Sequence, residues 1–313
     1  MMKEDVVYEK SWYRNTALVM INRPEQHNSY VLDTLRRLIN AFDDAMSDET
    51  VHFIVLTGAG DRAFCTGGNV HEYNEVYGSK PIKWFSYGEI YGRFLDMIMH
   101  CGKPVIARIN GTVAGGGLEF AAAADLAIAA EHARFLSPGP RVGMTSVGGI
   151  SQWLPLHIGI KRTNELVMLS RELTAKEALE WGIVNDVCPL QELDNRVRSW
   201  IDKMSELSYT SLQYFKVQIN WWKDIVWRTT WENAKMFFTL NAGSVEPYEG
   251  MKAFREKRKP GEAQSRIRSK IAAGMDPRYP HGPYAKSCPS CGAEHLPANS
   301  KYCLACGSPL TGG

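Results

Sequence analysis

The 313-residue sequence has no apolar run approaching the ~20 residues a helix needs to cross a bilayer, so no membrane span is expected. Met1 to Lys10 mixes charges and lacks an apolar core segment, so it does not read as a secretory leader. No sign of charge is in excess. Lys and Arg total 36 against 34 Asp and Glu, a net +2, and neither nucleic acid nor a membrane surface is expected as a partner. A secreted disulfide framework is also missing: there are seven cysteines, an odd number, and four of them crowd into the tail. A cytoplasmic protein is the expectation. An apolar fraction of 44% and a charged fraction of 22% are ordinary for a globular chain, and the length suits one sizeable domain plus something small.

Val6–Lys10 and Ala17–Asn22 read as short strands. Apolar Leu35, Leu38, Ile39 and Phe42 then fall on one face of a helix from Leu32 to Met46. Phe53–Thr57 is a buried-type strand, and a polar, tyrosine-rich stretch from Asn69 to Lys80 leads into an amphipathic helix ending near Met99. Pro104–Ile109 and Leu126–Ala130 are further strands, separated by small apolar residues that suit a buried helix. This alternation predicts an α/β domain with parallel strands and helical crossovers. From Ser151 to Lys257 the pattern is almost wholly helical, broken by a strand at Val184–Cys188. Residues 258–286 are rich in Pro, Gly and basic side chains and read as a linker, with a helix near Ala263–Ala273 as the alternative for part of it. The expected division is therefore 1–257, a linker, and 287–313.

The tail carries Cys288-Pro289-Ser290-Cys291 and, eleven residues on, Cys303-Leu304-Ala305-Cys306. Each pair can present two thiolates from one tight turn, and Gly292 and Gly307 supply the backbone freedom such turns need. Cys288, Cys291, Cys303 and Cys306 are thus expected to hold a structural Zn2+ in a four-cysteine ribbon. So small a segment buries too little core to fold without the metal. Ribbons of this kind often mediate protein contacts, so a protein partner is one reading of the tail.

Two glycine-bearing segments each follow a strand: Ala63-Phe64-Cys65-Thr66-Gly67-Gly68-Asn69, and Asn110-Gly111-Thr112-Val113-Ala114-Gly115-Gly116-Gly117-Leu118-Glu119. A chain that turns abruptly into a helix leaves its first N–H groups unpaired. Two such groups from different segments can stabilise one oxyanion. Taken singly, each segment is explained equally well as a tight turn. Gly58-Ala59-Gly60 lacks the third glycine and the helix start of a dinucleotide fingerprint, so no nucleotide redox cofactor is expected.

Together these segments resemble the two oxyanion-hole motifs of the crotonase (enoyl-CoA hydratase/isomerase) superfamily. The resemblance runs from about Val7 to Pro260 and includes Asn22-Arg23-Pro24, Lys103-Pro104-Val105-Ile106-Ala107, Gly182-Ile183-Val184 and Ala253-Phe254-Arg255-Glu256-Lys257. It implies a ββα spiral with a helical C-terminal trimerisation region, homotrimers or hexamers, and an acyl-coenzyme A thioester whose oxygen is held by the N–H groups of Gly68 and Gly116. The ligand-contacting residues implied are Ala63, Cys65, Thr66, Gly67, Asn69 and Gly115.

Hydratases of the superfamily use two glutamates. Glu119 stands at the first position, whereas Gly139 stands where the second would fall. Gly139 resembles instead the ring-handling members. Asn28-Ser29-Tyr30, Glu72-Tyr73 with Tyr77, and Gly148-Gly149 most resemble the 6-oxocyclohex-1-ene-1-carbonyl-CoA hydrolases of anaerobic aromatic degradation. Dihydroxynaphthoyl-CoA synthases carry an aspartate near Ser146, which this chain lacks. The resemblance implies addition of water to a conjugated cyclic thioester followed by ring opening. Glu119 is the candidate base, and Tyr73, Tyr77 and His71 are candidates to polarise a ring ketone or guide a proton. Ser146 is a candidate to hold a water. Arg23 is preferred for the coenzyme's phosphates over Arg255, Lys257, Arg258 and Lys259. An enoyl-CoA hydratase, a naphthoate-synthase-like enzyme and a non-catalytic acyl-CoA-binding scaffold are the alternatives.

Overall fold

A computed structural model describes residues 4–73, 80–274, 284–297 and 300–310. β1 (Val6–Tyr13) and β2 (Thr16–Ile21) pair antiparallel, and α1 (Leu32–Ser47) follows. The chain then repeats one unit three times: a strand for a large sheet, a short strand for a small sheet, and a helix. The first unit is β3 (Phe53–Gly58), β4 (Ala63–Cys65), the single turn α2 (Val70–Glu72) and α3 (Pro81–His100). The second is β5 (Val105–Ile109), β6 (Thr112–Ala114) and α4 (Gly116–Ala123). The third is β7 (Leu126–Ala130), β8 (Arg134–Leu136) and α5 (Ile150–Met168). β9 (Glu172–Thr174), α6 (Ala175–Trp181) and β10 (Asp186–Cys188) complete the sheets. The helices α7 (Leu193–Ser205), α8 (Tyr209–Ala242), α9 (Val245–Arg255) and α10 (Pro260–Ala272) come next. In the tail β11 (Tyr284–Lys286) pairs with β12 (Leu296–Pro297).

The large sheet runs β1-β2-β3-β5-β7-β10 and the small one β4-β6-β8-β9. Apart from the antiparallel β1/β2 and β8/β9 pairs, neighbours are parallel. Parallel strands covered on both faces read as continuous apolar runs, and Phe53–Gly58 is buried throughout. The alternation is visible in the packing: Phe53 and Val55 join Leu18, Ile106 and Ile128 against α7, whereas Ile54 and Leu56 join the larger core with α1 and α3. The helix expected over Leu32–Met46 and the strands expected over Phe53–Thr57 and Leu126–Ala130 lie where the sequence put them. The second sheet accords with the ββα spiral that the resemblance implies, although no residue pattern marked its short strands, and β9 interrupts a stretch read as helical. α5 also breaks at Gly159, whose φ of 78° and ψ of 157° are not helical. The segment read as a linker holds α10, the alternative the sequence left open.

α8 is fastened by buried polar side chains as well as by Trp227, Phe238 and Ala242, which join the larger core. Asp125, just past α4, accepts hydrogen bonds from the Val105 N–H (2.7 Å), the buried Lys216 ammonium (2.7 Å) and the Asn220 amide (2.9 Å). Lys216 also donates to the Ile98 carbonyl (2.8 Å) and Asn220 to that of Met99 (3.0 Å), while Lys223 donates to the carbonyls of Ala123 and Ala124 at 3.1 and 3.0 Å. These cations satisfy the orphan carbonyls at the C-terminal ends of α3 and α4, where the helix dipoles favour positive charge. That fixes the depth of α4, and with it the start of α4 beside β4.

Candidate active site

The two glycine segments meet backbone to backbone. A Cβ on Gly117 would stand 2.0 Å from the Cys65 carbonyl oxygen, and one on Gly67 would stand 3.0 Å from the Gly116 nitrogen. Gly67 and Gly115 have φ of 88° and 53°, values that favour glycine. Two buried asparagines pin the loop ahead of β4. Asn28 donates to the carbonyls of Ala59 (2.9 Å) and Ala63 (2.7 Å), and Asn110 to those of Gly60 (2.8 Å) and Ala63 (3.0 Å). Beyond β4 the Tyr30 N–H donates to the Gly67 carbonyl (3.0 Å) and the Asn69 N–H to the Tyr30 carbonyl (2.9 Å). Asn69 caps α2 by accepting from His71 and Glu72, and Glu72 in turn accepts the first N–H of α1, from Leu32, at 3.2 Å. The start of α1 is thereby tied to the first glycine motif. Among the described residues, neither the Gly68 N–H nor the Gly116 N–H, the latter at the first position of α4, has a hydrogen-bond partner.

These segments border a cleft of about 2020 Å3. Arg23, Thr66, Gly67, Gly68, Asn69, His71, Tyr73, Gly115, Gly116, Glu119, Gly139 and Ser146 all line it, so the structure brings most of the expected residues together. Ala63 and Cys65 are fully buried and are not among its lining residues, while Tyr77 lies outside the described residues. His71 is exposed at the rim. Arg23 is held by Asp5 and Gln26. Lys257 and Arg258 reach the cleft and Arg255 and Lys259 are not among its lining residues; Arg258 pairs with Glu249 at 2.9 Å and Glu256 at 2.6 Å.

Glu119 is the chemically distinctive group. It is 3% exposed and the only buried carboxyl among the described residues. It accepts hydrogen bonds from the Tyr91 phenol and the Ser146 hydroxyl. Burial pushes the carboxyl up to about 8, and the two hydrogen bonds offset this only in part. An acid poised there can hold or release a proton near neutral pH. Gly139 has no room for a second one: a Cβ there would stand 2.6 Å from the Met144 carbonyl oxygen.

Tyrosines are what sequence reasoning underused. Tyr30, quoted for its resemblance but given no role, and Tyr87 and Tyr91, unremarked, line the same cleft. Tyr73 and Tyr87 share a hydrogen bond of 2.6 Å, and a Cβ on Gly68 would lie 1.6 Å from the Tyr73 hydroxyl. The usable signal was the spacing of Trp84, Tyr87 and Tyr91, which puts three large rings on one face of α3.

The family model for enoyl-CoA hydratase/isomerase matches residues 12–264, and this match decides the family. The chain belongs to the enoyl-CoA hydratase/isomerase, or crotonase, family. Its crotonase fold is shared with a carnitinyl-CoA hydratase from Mycobacterium avium, at 29% identity and a TM-score of 0.71, covering 83% of this chain and 98% of that one. An enoyl-CoA hydratase/isomerase from Xanthobacter autotrophicus Py2 shares the fold at 24% identity and a TM-score of 0.75, covering 84% and 96%. Among curated relatives, the 6-oxocyclohex-1-ene-1-carbonyl-CoA hydrolase of Geobacter metallireducens is 38% identical over 173 residues, 55% of this chain. The chain spans less than half, 45%, of that protein's length. No described helix is long and apolar enough to cross a membrane.

In the tail, the four Sγ atoms of Cys288, Cys291, Cys303 and Cys306 all lie within 4.8 Å of one another. The two turns repeat each other: Gly292 donates to Cys288 at 3.0 Å, Gly307 to Cys303 at 2.9 Å, and both glycines have φ of 73°.

The buried acid sets a sign for stability. Below the ordinary carboxylate range Glu119 is protonated folded or unfolded, and contributes nothing. Between that range and about 8 the unfolded chain ionises there while the folded chain does not, so stability falls as pH rises through the window. Glu119→Gln is expected to raise the denaturant midpoint above wild type by an increment that grows from about pH 5 to about pH 8. An increment flat with pH would mean that the folded carboxyl ionises normally.

Proposed function

We propose that this chain adds water to a cyclic, conjugated acyl-CoA and then opens the ring by carbon–carbon cleavage. The observation that carries the reading is one buried acid with its pKa near 8 beside two unpaired glycine N–H groups, in a cleft where Gly139 has no room for a glutamate at its own position. The partial relative's name supports the ring substrate. In this reading the Gly68 and Gly116 N–H groups hold the thioester oxygen. Glu119 takes a proton from water as it adds to the double bond, and an enolate forms at the same oxygen. A second water attacks the ring ketone, and the bond between the carbonyl and α-carbons breaks toward the thioester enolate. Both steps place developing charge on one preorganised site. Tyr73 polarises the ketone, Ser146 holds Glu119 or its water, and His71 stays at the rim. Arg23, Lys257 and Arg258 meet the coenzyme's phosphates. Incubation with 6-oxocyclohex-1-ene-1-carbonyl-CoA should yield a product heavier by two waters, read by mass spectrometry. A gain of one water would make the chain a hydratase, and no reaction with any acyl-CoA would remove the enzymatic reading.

We propose three parts for the chain: a catalytic domain over 1–257, a connecting segment over 258–286 and a zinc ribbon over 287–313. Tetrahedral Zn–S bonds of ~2.3 Å put sulfurs ~3.8 Å apart. The Cys288–Cys306 and Cys291–Cys303 separations, both 3.7 Å, match that spacing. Bound zinc would cross-link the two turns, and no ligand position would stay open for catalysis. Elemental analysis of the purified chain should find about one zinc per chain, lost in Cys303→Ser; an absence of zinc from wild type would sink the ribbon.

A homotrimer or hexamer accounts for an exposed apolar face on α8. Its inner face buries Lys216, Lys223 and Lys235, whereas Phe215, Trp221, Trp222, Met236 and Phe237 are exposed, Trp222 by 71%. An apolar outer face of this kind marks a subunit contact. Light scattering should give three or six times the 35.1 kDa chain mass, reduced by Trp222→Glu. A monomeric wild type would contradict the assembly.

A further inference from the structure

The floor of the cleft holds more hydroxyl groups than one carboxyl requires. Tyr30, Tyr87 and Tyr91 are 2%, 1% and 0% exposed. Tyr87 and Tyr91, one turn apart on α3, stack at 5.9 Å with their planes 10° apart, and Tyr30 stacks on Tyr91 at 5.9 Å. A buried phenol must find a partner. These find one another. Tyr73 and Tyr87 share a hydrogen bond and Tyr91 donates to Glu119, while Tyr30, stacked on Tyr91, interacts electrostatically with both Tyr87 and Tyr91. The row has one end at Gly68, beneath the Tyr73 hydroxyl, and the other at Glu119. Midway, the Tyr30 hydroxyl lies 2.0 Å from where a Gly116 Cβ would stand. It therefore runs beside both glycine N–H groups.

The proposed reaction requires proton movement along this line. Adding water across a double bond conjugated to a thioester takes one proton from water and delivers one to the α-carbon. Ring opening does the same, because water adds to the ketone and the released enolate takes up a proton. Glu119, the only buried carboxyl among the described residues, is available to take the proton, and position 139 has no room for an acid that would deliver it.

We propose that Tyr91, Tyr30, Tyr87 and Tyr73 form a proton relay that returns the proton captured by Glu119 to the α-carbon at Gly68. This rests on the hydratase/hydrolase reading above. In one passage Glu119, once protonated, becomes the donor in its hydrogen bond with Tyr91 and gives its proton to the Tyr91 oxygen, and each phenol hands its own proton to the next. Tyr73 gives the last proton to the α-carbon. The enolate's electron pair forms the new C–H bond, Glu119 is left as carboxylate, and every tyrosine ends neutral. Burial pushes the Tyr30, Tyr87 and Tyr91 phenols well above 10, so free tyrosinates are excluded and only a concerted hand-over is open. Tyr73 is the catalytic residue of the row, and the other three position and transmit.

The test uses the full chain and 6-oxocyclohex-1-ene-1-carbonyl-CoA. Tyr87→Phe cuts the row in the middle without touching Glu119. It should lower kcat about 100-fold with KM changed less than about 3-fold. Plotted against the D2O fraction, the wild-type rate should bow as several protons move together, and the variant's plot should straighten. Tyr30→Phe should behave alike, and the double variant should be no slower than either single one, since one cut disables the row. Both Phe variants keeping wild-type kcat and the bowed plot overturns the relay; if Glu119→Gln is inactive in the same assay, the hydrolase reading survives. A wild-type chain inactive on every acyl-CoA overturns both.

Discussion

The contact between the backbones of Cys65–Gly67 and Gly115–Gly117 is the constraint on which the rest of this molecule depends. No side chain fits there: a methyl group on Gly117 would lie 2.0 Å from a carbonyl oxygen. Close approach lets the first turn of α4 open directly beside the end of β4, and it leaves two N–H groups facing the cleft instead of a neighbouring carbonyl. The surrounding polar groups hold that approach at both ends. Asn28 and Asn110 share the Ala63 carbonyl ahead of β4, and Asp125, Lys216, Asn220 and Lys223 fix the far end of α4. All are hydrogen-bonded, and all but the half-buried Asp125 are buried, so removing one partner leaves the other unsatisfied, at a cost of ~1–3 kcal/mol or more for a charged group.

The same arrangement explains why α8 looks inside out. Its lysines turn inward because the C-terminal ends of α3 and α4 offer unpaired carbonyls and negative dipole ends, together with the Asp125 carboxylate. Lys216 stays charged in the interior because desolvation is outweighed by Asp125, whereas Lys223, with no carboxylate in contact, is pushed down to about 8. Polar groups share the inner face of this 34-residue helix with Trp227, Phe238 and Ala242, and many of its other apolar side chains are left for the outside.

Much of this was legible in the sequence, for identifiable reasons. The large sheet announces itself because its central strands β3, β5 and β7 are mostly buried and five or six residues long. The small sheet does not, because β4, β6 and β8 have three residues each, too few to show a period, and they flank glycines that read as turns. The glycine segments and Glu119 were recognisable from residue order. The tyrosines were not: Tyr87 and Tyr91 sit in an amphipathic helix where an aromatic ring is the expected core filling, and only tertiary packing reveals that their hydroxyls meet Tyr73 and Glu119. Four cysteines at paired spacing were visible at once, because that local pattern needs no long-range contact to be read.

One electrostatic consequence joins the buried acid to the glycine nest. Glu119 occupies the first turn of α4, the same turn whose leading N–H groups face the cleft. A carboxylate and an enolate oxygen there would be two negative charges sharing one helix terminus in a water-poor site, which burial penalises. In the proposed chemistry the two are never charged together. Glu119 gains its proton as the enolate charge appears, and regains its charge as the enolate is quenched. The reaction shifts one negative charge by a short distance within a fixed field of N–H dipoles, instead of creating a second. A carboxyl held near 8 suits that exchange, since its affinity for a proton lies close enough to neutral for both directions to remain accessible. An ordinary exposed glutamate would hold its charge too firmly to take part.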